Sequence, residues 1–163
     1  MFSLTNVSVS LKSEAGLVSI LNALSLTLNE GEVFGVVGPS GSGKSVLLKV
    51  MAGLWEPDSG EVRFQGQDLF SLSRTRHKEF FSHLGMTFQK SGLLDSLTSF
   101  ENLDFALKEG AGVKKASDRV PRVQKALLEV GLEGSEQLYP HELSGGMQKR
   151  LGIARALVLK PEC

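Results

Sequence analysis

Two glycine-rich stretches of this chain have the residue types and spacing that bind phosphate groups. The first, residues 38–45, reads GPSGSGKS and matches the pattern G-x-x-x-x-G-K-[ST] at every fixed position. Its glycines allow successive backbone N–H groups to face one anion, and a helix that begins there adds the positive end of its dipole. Lys44 is predicted to reach the β- and γ-phosphates of a nucleoside triphosphate, and the Ser45 hydroxyl to ligate Mg²⁺.

The nucleotide-binding residues predicted from this first stretch are consecutive. They are Gly38, Pro39, Ser40, Gly41, Ser42, Gly43, Lys44, Ser45 and Val46. The alternative is a glycine-rich surface turn with a solvated lysine. The flanking sequence disfavours it, because residues 32–37 (EVFGVV) are predicted to form a short buried strand and residues 46–54 place apolar side chains at helical spacing. Strand, loop and helix therefore follow in the order that the motif requires.

The second stretch, residues 143–147, reads LSGGM and precedes apolar residues at helical spacing. Ser144 can cap that helix, and Gly145 and Gly146 leave its first N–H groups uncovered, which would make a second anion site. An ordinary serine cap with a flexible lead-in explains the same residues equally well. The stretch alone does not decide between these two interpretations.

Taken together, these stretches resemble the nucleotide-binding subunit of ABC transporters. Residues 143–148 are similar to the LSGGQ-like signature of that family, with Met147 in the place of the usual glutamine. Gln89 matches the glutamine at the end of the family's next core strand. Residues 97–103 look like the family's LTVxEN segment, and residues 53–62 resemble its GL-x-x-P-x-x-G run. The resemblance covers nearly the whole chain.

The resemblance implies an active site shared by two ATP-binding domains. These would dimerise head to tail and clamp ATP, with its Mg²⁺, between the Lys44 loop of one and the helix end at Ser144, Gly145 and Gly146 of the other. Lys44 and Gln89 would then be the catalytic residues, and Gln89 would contact Mg²⁺ or the attacking water. The family couples ATP hydrolysis to transport through a membrane permease, so the resemblance implies a cytoplasmic location on the inner face of the membrane.

Part of the family pattern lies beyond this sequence. In the family, a turn like that at residues 159–163 leads into an apolar strand ending in Asp-Glu, and a histidine follows downstream; neither is present here. The three histidines, His77, His83 and His141, all precede that position. The sequence is therefore expected to be a fragment of a longer ATPase, with little or no turnover by itself. Leu11 stands where the family often stacks the adenine, so the base contact is not assigned.

Composition excludes several classes of function. The 163 residues suit one domain, and lysine plus arginine equal aspartate plus glutamate at 18 each, which disfavours nucleic acid as a partner. No apolar run is long enough to span a bilayer, and the first residues do not form a secretory signal. Cys163 is the single cysteine, which is typical of the cytosol. Attachment to a membrane is therefore expected to come through a partner.

The predicted fold class is α/β: a P-loop NTPase of ABC type. Residues 1–30 predict antiparallel strands, and a partial parallel core sheet and a helical subdomain are expected to follow, with the C-terminal part missing. The chain is expected to form a single incomplete ABC ATP-binding domain over residues 1–163. Its parts are residues 1–99, the β-rich and P-loop core; residues 100–142, the helical subdomain; and residues 143–163, the signature motif and its helix.

Shorter elements are predicted from periodicity and capping. Residues 61–64 predict a strand, residues 73–83 a helix, and residues 108–115 a flexible loop. A further helix is expected to begin at Ser117 or Asp118, with Pro121 in its first turn and Gly131 at its end. The apolar residues Phe100, Leu103, Phe105 and Leu107 are expected to pack in the core, or alternatively to contact the permease.

Two short stretches narrow the resemblance further. Residues 88–94 and 142–150 look like the Mce-associated branch of the family, which handles phospholipids, and this implies a lipid-binding partner besides the permease. Two other readings stay open: a nucleotide-binding remnant without catalysis, and a soluble ABC ATPase that acts on ribosomes or DNA. The second usually requires a second cassette or a long insertion, for which residues 100–139 leave no room.

Overall fold

The computed structural model describes residues 2–14, 16–88 and 91–163. The contacts within the chain divide it into two compact units, Met1–His77 and Lys78–Cys163. The finer division predicted from the sequence, with boundaries after residues 99 and 142, stays a prediction.

The first unit contains one antiparallel sheet. Its strands are β1 (Phe2–Ser13), β2 (Gly16–Leu28), β3 (Ser59–Phe64) and β4 (Gln67–Asp68), and they lie in the order β2-β1-β3-β4. Each neighbouring pair is antiparallel. The predicted antiparallel strands at the start of the chain are therefore confirmed.

The buried face of this sheet is apolar and continuous across β1 and β3. The rings of Phe2 and Phe64 lie 4.9 Å apart between centroids, and Leu4 is buried beside them. A bulge interrupts β1 at Asn6, whose φ is 51°, and Gly60 of β3 faces it. A Cβ on Gly60 would lie 2.5 Å from the Asn6 carbonyl oxygen, so only glycine fits where the two backbones approach.

The buried strand predicted at residues 32–37 is absent. This segment has no regular secondary structure, and Val33 and Val37 are 99% and 93% exposed. An apolar run becomes a strand only when a neighbouring strand satisfies its backbone hydrogen bonds. Among the described residues, the single backbone bond of this segment is a local one, from the Glu32 N–H to the Asn29 carbonyl oxygen at 3.4 Å. The prediction was wrong for the described chain because it rested on local sequence alone.

Helices dominate the second unit. The helices of the chain are α1 (Lys44–Met51) in the first unit, α2 (Arg74–His83) across the division, and α3 (Ser99–Phe105), α4 (Ala116–Glu129) and α5 (Gly145–Leu157) in the second. The core of the second unit includes Leu103, Leu107, Val123, Leu127, Leu132 and Leu151. Leu103 and Leu107 are thus core residues, and Phe100 packs against them, whereas Phe105 is about half exposed.

Helix α4 begins earlier than predicted. Its first residue is Ala116, and Ser117 does not cap it, because the Ser117 hydroxyl donates to Asp118 Oδ1 at 3.3 Å. Arg119 fixes the preceding segment by donating to the carbonyl oxygens of residues 113 and 114, at 3.0 and 2.7 Å. Arg119 is also hydrogen-bonded to Asp104, which raises the pKa of Arg119. The predicted flexible loop begins as a π-helical turn, Ala106–Gly110.

The predicted parallel core sheet appears only as one exchange of hydrogen bonds. In the second unit, the Cys163 N–H donates to the His83 carbonyl oxygen at 3.1 Å, and the Gly85 N–H donates to the Cys163 carbonyl oxygen at 2.6 Å. This pattern is that of a parallel pair opposite Leu84. Within the described residues, no parallel ladder extends it, and residues 84–88 are not assigned as a strand.

Candidate nucleotide-binding site

The glycine-rich loop at residues 38–45 curls tightly before α1. Gly41 and Gly43 have φ values of 81° and 88°, in the left-handed region that glycine adopts most easily. The Ser42 N–H donates to the Pro39 carbonyl oxygen at 3.3 Å, and the Leu47 N–H donates to the Gly43 carbonyl oxygen at 2.8 Å. Gly43 is the N-cap residue of α1, so the helix begins at Lys44 and a helix follows the loop as predicted.

The start of α1 has the properties of an anion site. The backbone N–H groups of Gly43, Lys44, Ser45 and Val46 have no acceptor among the described residues, and the first turn contains no acidic side chain. Unsatisfied N–H groups at a helix N-terminus, together with the helix dipole, attract a phosphate oxygen. Backbone geometry alone therefore makes this end of α1 suitable for phosphate.

Lys44 adds a mobile positive charge to the same place. Its Nζ donates to the carbonyl oxygens of Gly38 and Pro39 at 2.8 and 2.7 Å, so the side chain folds back over the loop. An ammonium group is a compact point charge on a flexible stem, and it can exchange these carbonyls for phosphate oxygens. Lys44 and the loop residues predicted from the sequence are thus brought together by the structure.

The predicted magnesium ligands can be tested only in part. The Ser45 hydroxyl is exposed and has no hydrogen-bond partner among the described residues, so it is available as a ligand. Mg²⁺ bound with a triphosphate needs only one or two protein oxygens, because it keeps several waters. Ser45 fits that role, whereas Gln89 lies outside the described residues. Elsewhere in the described chain, no cluster of His, Cys, Asp or Glu could hold a metal.

Gly43 joins the loop to β2, and substituting it is expected to destabilise the first unit. A Cβ at this position would lie 3.0 Å from both the Ile20 carbonyl oxygen and Ile20 Cγ2, in addition to the left-handed φ. We expect Gly43→Ala to lower the free energy of unfolding by about 2–4 kcal/mol, from backbone strain and overpacking. Gly41→Ala is the matched control, because a Cβ there meets nothing within 4 Å. Gly41→Ala should lower the free energy of unfolding by about 1 kcal/mol, because only the backbone strain applies there. Urea denaturation measures both, and equal losses would contradict the packing argument.

The second predicted phosphate site is the start of α5. Ser144 caps this helix, since its hydroxyl oxygen accepts from the Met147 N–H at 3.3 Å, as predicted. The N–H groups of Gly145 and Gly146 have no acceptor among the described residues, and the first turn again has no acidic side chain. The ordinary serine cap is therefore present, and two free donors lie beside it.

The two glycines at this helix end are not explained by the fold of the chain. A Cβ at Gly145 or Gly146 would meet nothing within 4 Å, and neither residue has a positive φ. In a helix, glycine is less favourable than alanine by about 1 kcal/mol. The fold of the described chain therefore does not require glycine at either position, and the absence of side chains leaves this helix end open to close approach.

Sequence reasoning missed the structural part played by Gln148. Its Nε2 donates to the Pro140 and Leu143 carbonyl oxygens at 2.8 and 3.2 Å, which holds the turn before α5 against the first turn of the helix. The only sequence signal was an amide side chain at the end of the signature-like stretch, residues 143–148. The two phosphate-binding ends lie in different units, with Lys44 in the first and Ser144 in the second.

A glycine-rich cradle, a helix that begins at its lysine and a serine available for the metal define a P-loop nucleotide-binding domain. The sequence profile described as "ABC transporter" matches residues 21–163. The chain therefore belongs to the ABC transporter family.

Curated relatives and solved structures agree with this assignment. The chain is 41% identical over 162 residues to "Methionine import ATP-binding protein MetN 2" of Enterococcus faecalis, covering 99% of this chain and 46% of that protein. It is 41% identical over 162 residues to "Methionine import ATP-binding protein MetN" of Bacillus subtilis, covering 99% of this chain and 47% of the relative. The chain thus spans about half the length of the curated relatives it matches.

Among solved structures, the ATP-binding cassette MJ0796 superposes with a TM-score of 0.90 at 33% identity, covering 99% of this chain and 71% of that one. That structure is a dimer in a post-hydrolysis state, bound to ADP and Pi. The predicted α/β fold of ABC type, with its antiparallel N-terminal sheet, is confirmed by this likeness and by the family match.

The comparisons correct one prediction. The relatives reported above are named for methionine import, so they do not support the phospholipid branch or a Mce-type partner. Within the described residues, no helix is both apolar and long enough to cross a bilayer.

Proposed function

We propose that this chain is the ATP-binding part of an ABC transporter subunit, which hydrolyses ATP and couples the reaction to transport through a membrane permease. The observation that carries the proposal is the pair of helix ends with free N–H groups, one at Lys44 and one at Gly145. Each is an anion site, and neither is covered by an acidic side chain. We place the subunit on the cytoplasmic face of the membrane, held there by the permease.

The loop at residues 38–45 binds the β- and γ-phosphates through its backbone. Lys44 leaves the Gly38 and Pro39 carbonyl oxygens and neutralises part of the phosphate charge. Ser45 would hold Mg²⁺, which would supply further positive charge to the phosphates. Gln89 orients the attacking water. In phosphoryl transfer, such positioning and charge stabilisation provide most of the catalysis.

The second helix end acts on the nucleotide of a partner subunit. Ser144, Gly145 and Gly146 donate to the γ-phosphate bound by the Lys44 loop of a second copy, so one chain holds half of each site. The shared site explains why residues 145 and 146 are glycine although the fold does not require it. A side chain at either position would hold the phosphate away from the N–H groups. ATP binding thereby favours closure of the dimer.

Light scattering of the complete ATP-binding domain tests this proposal. A non-hydrolysable ATP analogue with Mg²⁺ is expected to shift the domain from monomer to dimer, because the nucleotide bridges two helix ends. ADP is expected to leave it monomeric, since the γ-phosphate is missing. If the analogue binds and the mass does not change, the shared site is wrong. If no nucleotide binds, the proposal as a whole fails.

The permease contact is proposed at an apolar notch in the second unit. Phe88 and Ile153 are exposed by 51% and 44% and line a notch of about 210 Å³, next to Lys149. An exposed aromatic and aliphatic pair at a concave site suits an apolar anchor from another protein. Ile153→Asp is expected to release the subunit from the permease in co-purification, with nucleotide binding retained.

The transported substrate favoured by the names of the relatives is methionine. Vesicles containing the subunit and its permease distinguish this substrate from phospholipid: uptake of labelled methionine should require ATP and Lys44. If labelled phospholipid is transferred instead, the result would favour the phospholipid-handling branch of the family over methionine import. Complexes that bind ATP without any turnover would favour the non-catalytic remnant over the transporter.

A further inference from the structure

A cavity of about 380 Å³ lies in the second unit, between α4 and the end of α5. One wall is a single face of α4, and the other is formed by residues at the end of α5 and just after it. None of the residues that line the cavity belongs to the loop at residues 38–45 or to the helix end at Ser144. Small-molecule sites in proteins have volumes of about 300–1,000 Å³, so this cavity is large enough to be one.

Part of the cavity lining is apolar. Ala126 of α4 and Val158 at the end of α5 are buried, each with 6% of its surface exposed. Pro121 and Leu157 also line the cavity, and both are exposed; 54% of the Leu157 surface is open to water. Covering apolar surface of this kind is favourable, so the cavity offers binding energy to a ligand with an apolar body.

Four charged side chains line the same cavity, and three of them are cations. These are Arg122, Lys125 and Lys160, and the fourth is the carboxylate of Glu129. The Lys125 Nζ lies 3.7 Å from Glu129 Oε1, so these two charges offset each other. The side chains of Arg122 and Lys160 form no hydrogen bond or ion pair with any described residue. The negative end of the α5 dipole, equivalent to about half an elementary charge, offsets only part of the two remaining positive charges.

The backbone of Lys160 has a conformation that is unfavourable for lysine. Its φ is 56°, in the left-handed region that glycine adopts more easily. The Lys160 N–H donates to the Leu157 carbonyl oxygen at 2.9 Å, so this residue closes the end of α5. Glycine is the usual left-handed residue where a helix ends, and it would close this one as well. Lysine at this position therefore adds a cation to the cavity without being required by the backbone.

We propose that this cavity binds a small organic anion, a carboxylate with an apolar body. The carboxylate pairs with Arg122 and Lys160, since a guanidinium matches the geometry of a carboxylate and an ammonium group adds a point charge. The apolar body covers Ala126, Leu157 and Val158. Such a ligand contacts both helices and stabilises the packing of α4 against the end of α5. The site is additional to the proposed nucleotide site and does not depend on it.

Titration of the complete subunit, with its leucine and valine methyl groups labelled for NMR, tests the proposal with hexanoate. Hexanamide has the same apolar body without the charge, and acetate has the charge without the body. We expect hexanoate to shift the methyl signals of Leu157 and Val158 saturably, with both other compounds binding at least about 10-fold more weakly. The absence of a saturable shift with hexanoate would overturn the site. Equal affinity for hexanamide would overturn the role of the cations.

Two substitutions separate this cavity from non-specific binding of the anion. Arg122→Gln removes a charge from an exposed position, and Lys160→Gly removes one where glycine suits the backbone, so both variants should fold. Each is expected to weaken hexanoate binding by about 3-fold, as for an exposed ion pair, and to leave hexanamide binding unchanged. Arg150→Gln is the matched control, because this exposed cation of α5 lies outside the cavity. Parent-like affinity of both cavity variants, or an equal loss in Arg150→Gln, would contradict the proposal.

Discussion

Replacing Lys44 with alanine is expected to weaken ATP binding and to slow hydrolysis by about 100-fold or more. The Lys44 Nζ lies over the loop on two carbonyl oxygens, at 2.8 and 2.7 Å, and is poised to exchange them for phosphate oxygens. A hydrogen bond to a charged group contributes about 1.5–3 kcal/mol, and a tenfold change corresponds to about 1.4 kcal/mol. Loss of one or two such bonds in a site with a highly charged ligand accounts for the expected factor.

Lys49→Ala is the matched control for this experiment. Lys49 lies on the same helix, but its Nζ lies 5.8 Å from the centre of the Trp55 ring instead of over the loop. We expect its removal to leave nucleotide affinity within about twofold, since exposed cation–π contacts contribute about 0.5–1 kcal/mol to stability and none to phosphate binding. Titration with a fluorescent ATP analogue and a phosphate-release assay provide both readouts. Equal losses in the two variants would show that Lys44 acts only through net charge.

The parts of the site that are contiguous in sequence were the parts that could be predicted. A helix directly after the glycine-rich loop and the cap of α5 at Ser144 were both predicted correctly, because glycine conformation and serine capping operate over three or four residues. The strand at residues 32–37 was not, since a strand exists only through a neighbour that local sequence does not reveal. The earlier start of α4 accompanies hydrogen bonds from Arg119 to the carbonyl oxygens of residues 113 and 114, which capping rules do not predict.

Contacts between distant positions escaped prediction altogether. Arg155 and Gly92 are 63 positions apart, and no periodicity or capping rule connects an arginine on a helix with one carbonyl in a turn. Gln148 was read only as part of a signature, whereas the structure shows it bonded to the turn before its own helix. Bonds from a polar side chain to a backbone group outside its own turn are found only when the fold is known.

The phospholipid branch was inferred from residues that do not contact a transported molecule in the proposed assembly. Residues 142–150 form the lead-in and first turns of α5, whose end at Ser144, Gly145 and Gly146 is proposed to bind the partner's nucleotide, and residue 92 is hydrogen-bonded to that helix. Residues at a nucleotide site are constrained by the nucleotide, which all members of the family share. In the proposed assembly the transported molecule passes through the permease, so these short stretches give no physical information about it.

A substitution at Gly145 is expected to lower turnover strongly while leaving the stability of the fold and the binding of nucleotide intact. Gly145→Gln places a side chain where a Cβ meets nothing within 4 Å, so the fold should tolerate it. Because glutamine is a better helix former than glycine by several tenths of a kcal/mol, the free energy of unfolding should be unchanged or slightly higher. Binding of a nucleotide to the Lys44 loop should also be unchanged. Turnover, however, should fall by about 100-fold or more, since donors to the developing charge of a partner's phosphate are displaced.

Four measurements on the complete domain check this prediction: urea denaturation, nucleotide affinity, nucleotide-dependent dimer mass and the rate of phosphate release. Lys149→Gln introduces the same side chain one turn further along α5, at an exposed position, and should leave all four at the parent values. If the site is shared, Gly145→Gln retains the stability and the nucleotide affinity of the parent but loses nucleotide-dependent dimerisation and phosphate release. If the variant dimerises and hydrolyses ATP normally, the helix end at Ser144 has no part in the reaction, because a bulky side chain there could not leave its N–H groups accessible to a phosphate.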